Sequence, residues 1–154
     1  MRHSTISSRF AIATAAAFAL GIAPAAKADN KGCSIETLKG TFANSGTGFS
    51  TSPPATGPFT EVLAENYDGK GGITSTGTIS VNGTIIPVTG KGIYTVNPDC
   101  TGTYTVQLSP IGATGHYFFV ILDSGNEFRF VCTDVGFVFS GSSRRQYPVG
   151  DWRQ

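Results

Sequence analysis

Few residues in this chain have the type and spacing that chemistry needs. His116 is the only histidine after residue 3, so a Ser-His-Asp relay would have to use it. No Gly-x-Ser-x-Gly elbow accompanies it, and its place after Gly115 at the head of an apolar run suits the rim of a sheet. Glu61 and Glu65 lie four residues apart in a stretch that reads as a strand. They therefore share a face about 13 Å apart by rise, wider than the carboxylate pair of a glycosidase. Glu127 and Arg129 lie two apart and also share a face. Exposed, they would form an ion pair worth little; inside a cavity, Arg129 could hold a ligand's carboxylate. His116, Arg129 and Glu65 are thus the candidates for catalysis, and Tyr104, Phe118 and Arg129 the candidates for ligand contact.

Phosphate and metal chemistry find less support. The run Asp68-Gly69-Lys70-Gly71-Gly72 lacks the strand–loop–helix setting and the Lys-Ser/Thr ending of a phosphate loop, and the acid spacing of a calcium loop. The three cysteines and His116 fit no usual zinc spacing and form no Cys-x-x-Cys. No metal and no cofactor is expected. Asn82-Gly83-Thr84 matches a glycosylation acceptor, but a hairpin turn explains the same residues.

The first 28 residues have the three parts of a secretory signal. Arg2, His3 and Arg9 make a positive start, residues 10–22 are apolar, and Ala26-Lys27-Ala28 gives the small-x-small cleavage site. The apolar run is 13 residues long, short of the roughly 20 that span a bilayer. The expectation is a signal peptide over 1–28 and one domain over 29–154, secreted or periplasmic, with no transmembrane segment after cleavage. Cleavage removes Arg2, Arg9 and Lys27, leaving eight basic against ten acidic residues, a net charge of −2. With Arg144-Arg145 as the sole paired cations, nucleic acid is not an expected partner.

Export makes a disulfide expected. Cys33 precedes the first strand and Cys100 lies in the turn 97–102, both at element ends where a bridge is easily made. The pair Cys33–Cys100 is predicted, with Cys132 inside an apolar strand as a small buried hydrophobe.

The elements that must carry these residues are strands. Gly is abundant, 20 residues in 154, and beyond one helical turn at 34–39 the pattern alternates with period two. Strands are predicted at 40–46, 59–67, 73–81, 84–96, 102–108, 116–123, 127–133 and 137–145. Asn82-Gly83 is the strongest hairpin signal, and Gly90 and Gly92 would let 84–96 bend or bulge. Short connections make neighbouring strands antiparallel. The fold predicted is all-β, an eight-stranded antiparallel meander closed into a barrel, which removes both sheet edges. A two-sheet β-sandwich is the alternative. Residues 117–122 are apolar on both faces. Phe118, Val120 and Leu122 point one way and Tyr117, Phe119 and Ile121 the other, and the set that faces outward needs cover from the tail around Trp152, from the loop 50–58, or from a second subunit in a homo-oligomer.

Three segments form a recurring pattern: Gly40-Thr41-Phe42, the hairpin Tyr67-Asp68-Gly69-Lys70-Gly71, and the stretch Gly92-Ile93-Tyr94-Thr95-Val96-Asn97-Pro98-Asp99-Cys100-Thr101-Gly102-Thr103. It resembles a group of small exported bacterial proteins, mostly uncharacterised, that are similar to the allene oxide cyclase-like barrels of the lipocalin-like class. The resemblance spans most of the chain after the signal. It implies a barrel whose lumen takes a fatty-acid-derived molecule and which is often oligomeric. It carries no functional residue onto this sequence. The function expected is the binding of a small apolar or amphipathic molecule in the lumen. The alternatives are a cyclase or isomerase acting on a lipid-like substrate in that lumen, and a structural protein that self-assembles.

Overall fold

The structure is a computed structural model that describes residues 32–51, 53 and 56–147. The expected signal peptide, residues 52, 54 and 55 of the proline-rich loop, and the tail from residue 148 with Trp152 lie outside the described residues.

A 3-10 turn, Ile35–Leu38, leads into eight strands: β1 Gly40–Ser50, β2 Gly57–Tyr67, β3 Gly72–Val81, β4 Thr84–Val96, β5 Thr101–Ser109, β6 Ala113–Leu122, β7 Glu127–Cys132 and β8 Phe137–Arg145. Each strand pairs antiparallel with the next, and β8 returns to β1 in the register Phe42↔Arg145 to Ser50↔Phe137. The sheet is therefore a closed barrel, as the meander required, and not a sandwich. The turns use the chemistry read from the sequence. Asn82 and Gly83 take positive φ of 47° and 85°, the left-handed pair that a two-residue hairpin needs. Asp68 Oδ1 accepts from the amides of Lys70 at 2.6 Å and Gly72 at 2.9 Å, which fixes the β2–β3 turn.

Three strand readings differ from the sequence expectation. β6 begins at Ala113 rather than His116, because Ala113 to Gly115 stay paired with β5. β1 runs to Ser50 rather than ending at Gly46, because Gly46 and Gly48 stay in both ladders. A side chain at Gly46 would collide with the rings of Phe139 and Phe130, so glycine here makes room inside the barrel. β4 neither bends out of register nor bulges: its pairing with β3 and with β5 is unbroken. Gly90 instead admits Ser75 and Val106, which a Cβ would strike.

One end of the lumen is packed solid. Phe42, Tyr67, Tyr94, Phe119 and Phe128 meet there edge-on or tilted, beneath the buried Leu38 of the 3-10 turn. The Tyr94 hydroxyl donates to Ile35 O at 3.0 Å and accepts from the amide of Gly69 at 3.0 Å. Arg145 finishes the seal. It lies 4.5 Å over the Phe42 ring and donates to the carbonyls of Lys39, Thr37 and Gly125. At the same end the Cys33–Cys100 disulfide spans a Cα–Cα distance of 4.9 Å, joining the segment before the 3-10 turn to the β4–β5 connection.

Candidate functional site

The opposite half of the lumen is open. Inward positions of six strands line an apolar cavity of about 110 Å³, among them Phe59, Val81, Leu108, Tyr117, Cys132 and Phe139. This is the order of the ~150 Å³ that admits benzene to an apolar cavity. Phe59 and Phe139 meet edge-to-face at 4.8 Å across its wall. A second, narrow space of about 10 Å³ lies between Glu61, Leu63, Glu65, Tyr104, Val106, Leu108 and Tyr117. Leu108 and Tyr117 line both spaces, so the narrow one adjoins the cavity. The Tyr104 and Tyr117 rings stack beside it, centroids 4.4 Å apart and 14° from parallel.

β2 supplies the polar chemistry. Its odd residues point inward, which puts Phe59, Glu61, Leu63, Glu65 and Tyr67 in one column. Glu65 is fully buried at 2 % exposure. Its Oε2 accepts from Asn44 Nδ2 at 3.2 Å, the Tyr67 hydroxyl at 3.0 Å and the Ser143 hydroxyl at 3.3 Å. Burial raises its pKa to about 7, against those three hydrogen bonds, which favour the charged form. Glu61 is 4 % exposed and forms no hydrogen bond or ion pair with any described residue. Burial first, and then the neighbouring Glu65 charge, push it up to about 8. Two further buried polar atoms lack a partner, the acceptor Asn44 Oδ1 and the Ser75 hydroxyl.

Among the described residues, the lumen therefore holds acids without a cationic side chain. Every described lysine is exposed, as are Arg129 and Arg144, and the half-buried Arg145 is committed to the sealed end.

Of the residues singled out in the sequence, Glu65 and Tyr104 lie in the lumen. Phe118, His116 and Arg129 lie on the outside. Phe118 stands on the outer face of β6, 40 % exposed, opposite Val131. Arg129 pairs with Glu127 at 3.3 Å on the outer face of β7, the exposed ion pair rather than a lumen arginine. His116 stands at the open rim, where its Nδ1 lies 2.7 Å from Asp134 Oδ1 and its amide donates to Asp134 Oδ2 at 2.9 Å. The Cys132 thiol donates to the same carboxylate at 3.6 Å. Burial pushes that thiol up to about 11, which keeps it protonated and unreactive. Glu61 was discounted on spacing alone. Its position in the inward column with Leu63 and Tyr67 was the signal that could have found it.

A wider hollow, about 490 Å³, lies across the β1–β8 seam among Ser45, Gly46, Thr47, Ser140, Gly141 and Ser142. It is a dip where small residues leave the outer wall low. Glu61, Arg129 and Phe130 also line it, so the buried Glu61 borders this hollow as well as the narrow lumen space.

The fold and the half-open lumen define the class: a small closed antiparallel β-barrel with a cavity at one end. No protein-family model and no curated protein matches the chain. Solved structures similar to it include two redesigned barrels. One, b11L5F_LGL, is 19% identical with a TM-score of 0.50 and is covered over 96% of its length by 74% of this chain. The other, mFAP1 bound to DFHBI, is 18% identical with a TM-score of 0.51 and is covered over 98% by 73% of this chain. At these identities the likeness shows the fold alone.

Proposed function

We propose that this chain is an exported binding barrel that holds a small apolar or amphipathic molecule in the open half of its lumen. The observation that carries the reading is the asymmetric filling of the barrel. Aromatic side chains pack one half solid, whereas the other keeps an apolar cavity that ends on buried acids. A lumen filled from end to end would leave no room for a ligand. A redesigned barrel of the same fold takes up the small molecule DFHBI, which supports the fold's suitability for such a site. Export rests on the signal-like first 28 residues, and the Cys33–Cys100 disulfide agrees with an oxidising compartment. The kinship with small exported bacterial barrels of the allene oxide cyclase-like type belongs to this proposal too, on the turn motifs alone. A cyclase or isomerase in the same lumen would have to work with Glu61, Glu65 and the tyrosines, since His116 and Arg129 lie outside.

Native mass spectrometry of protein purified from its own export route tests the reading. The expected spectrum shows a chain beginning at Asp29, one disulfide, and a retained small molecule that is absent from Ala113→Trp, which narrows the mouth. A bare chain that also takes up no 2-phenylethanol in a titration would overturn it.

A second reading rests on a different observation. Phe118, Val120 and Leu122 of β6 and Val131 of β7 stand about 40 % exposed in adjoining rows on the outer wall. Such a row favours self-association. Light scattering that shows a monomer at all concentrations would remove it.

A further inference from the structure

We propose that the inner end of the cavity recognises a primary ammonium group, with the Glu61 carboxylate as its counter-ion, so that the ligands taken are small aromatic or aliphatic primary amines. The inference rests on the lumen-binding reading and narrows it to one chemical class.

Three observations carry it. The first is Glu61 itself, buried, without a partner, and lining the space that adjoins the cavity. A buried carboxyl with no partner is costly, and selection removes it readily unless something completes it. The second is the sign of the site. Glu65 lines the same narrow space as Glu61, Asn44 Oδ1 is an unpaired acceptor and Ser75 Oγ an unpaired hydroxyl in the barrel, and among the described residues no lysine or arginine side chain enters this half. A ligand's carboxylate or phosphate would meet two acids and no cation. A donor with positive charge meets what the site lacks, and the stacked Tyr104 and Tyr117 rings add π surfaces that favour a cation. The third is size. A space of about 10 Å³ admits a group of roughly one heavy atom, the scale of one water. An –NH3⁺ head fits; a guanidinium or a trimethylammonium does not. The apolar cavity above it then receives the ring or chain that carries the amine.

The chemistry couples binding to a proton. Glu61 without ligand holds its proton to about pH 8. The ammonium must displace that proton, so affinity rises as pH approaches 8 and falls again where the amine loses its own proton, near pH 10. The groups facing Glu61 are Glu65 and Tyr67 from β2, Tyr104 from β5 and Tyr117 from β6, with Cys132 and Asp134 towards the mouth. The tyrosines and Cys132 are pushed up and stay protonated at pH 8. Glu65, raised only to about 7, is ionised there but already held by Asn44, Tyr67 and Ser143. Asp134, lowered, pairs with His116 at the rim, which leaves Glu61 as the unpartnered carboxyl.

Calorimetric titration of the purified protein with 2-phenylethylamine and with its neutral isostere 2-phenylethanol tests the proposal. At pH 8 the amine should bind at least tenfold more tightly than the alcohol, and at pH 5.5 that advantage should shrink at least tenfold. Glu61→Gln should still bind the alcohol but lose the preference, and phenethyltrimethylammonium should bind no better than the alcohol. An alcohol that binds as tightly as the amine, a preference that survives in Glu61→Gln, or an amine affinity that is flat from pH 5.5 to 8 would overturn the proposal and leave lumen binding standing. Failure of both ligands to bind, or binding of both unchanged in Ala113→Trp, would overturn lumen binding itself. The pH series needs no variant, so the test does not depend on Glu61→Gln folding.

Discussion

Replacing Glu61 by Gln should stabilise this protein at neutral pH and leave it unchanged in acid. In the unfolded chain a glutamate titrates near 4.5, whereas Glu61 in the barrel titrates near 8, so the folded state holds the proton more tightly. Stability is therefore full below pH 4.5 and is lost as pH rises from there to 8. The loss runs at about 1.4 kcal/mol per pH unit, or about 3 kcal/mol at pH 7. Gln has nearly the same shape and carries no charge, so the variant avoids this loss. At pH 4 both side chains are neutral and equally unpartnered, and the two proteins should unfold at the same denaturant concentration. At pH 7 the variant should be more stable by roughly 2–4 kcal/mol. Glu65 keeps its own rise to about 7, so the variant's pH curve flattens without becoming level. Urea unfolding at pH 4, 6 and 8, with slopes compared for two-state behaviour, measures the difference directly. Parallel curves for the two proteins across that range would refute the reasoning, because they would mean that Glu61 is solvated or paired.

Other consequences follow from the same structure. Cys33→Ser opens a bridge between positions 67 residues apart, and the chain-entropy relation puts the loss near ~4 kcal/mol, read as a lower urea midpoint under non-reducing conditions. Cys132, raised to about 11, should react with iodoacetamide at pH 8 at least tenfold more slowly in the folded protein than in urea; equal rates would show that the thiol is neither buried nor hydrogen-bonded to Asp134. Gly92→Ala places a Cβ against the backbone carbonyl of Thr105 within an unbroken ladder and should cost on the order of 1–3 kcal/mol in thermal or urea unfolding. A neutral outcome would mean that β4 and β5 have more slack than their register shows.

The barrel was legible because its signals are local. Asn82-Gly83, Asp68 to Gly72 and Asn97 to Gly102 announce turns by their own residues, and strands of alternating type lie between them. Element ends were less legible where glycine does packing work. Gly46 read as a strand end, yet Gly46 and Gly48 both sit in the ladder; Gly46 gives space to the Phe139 and Phe130 rings that come from β8 and β7, and Gly48 to the β8 backbone at Val138. No local pattern announces a ring that arrives from ninety residues away. The site was half legible for a related reason. Strand alternation places Phe128 and Phe130 on the opposite face from Glu127 and Arg129, and the closed barrel takes the aromatic face inward. The same logic sends His116 and Phe118 outward with Val120, because Tyr117, Phe119 and Ile121 fill the lumen. Glu61 and Glu65 were judged by the rise between their backbones. Their joint burial, with no cation among the described residues facing them, is a property of eight strands closing around one column.

The claim that this barrel binds a small molecule in the open half of its lumen is tested most directly by amide NMR. ¹⁵N-labelled protein would be titrated with 2-phenylethanol, and the shifting amides mapped onto the strands. The account predicts saturable shifts at Val81, Leu108, Tyr117, Cys132 and Phe139 around the mouth, with the sealed end at Leu38 and Tyr94 unmoved, and their loss in Ala113→Trp. Shifts confined to the outer wall at Phe118, Val120 and Val131, or none at all, would contradict it.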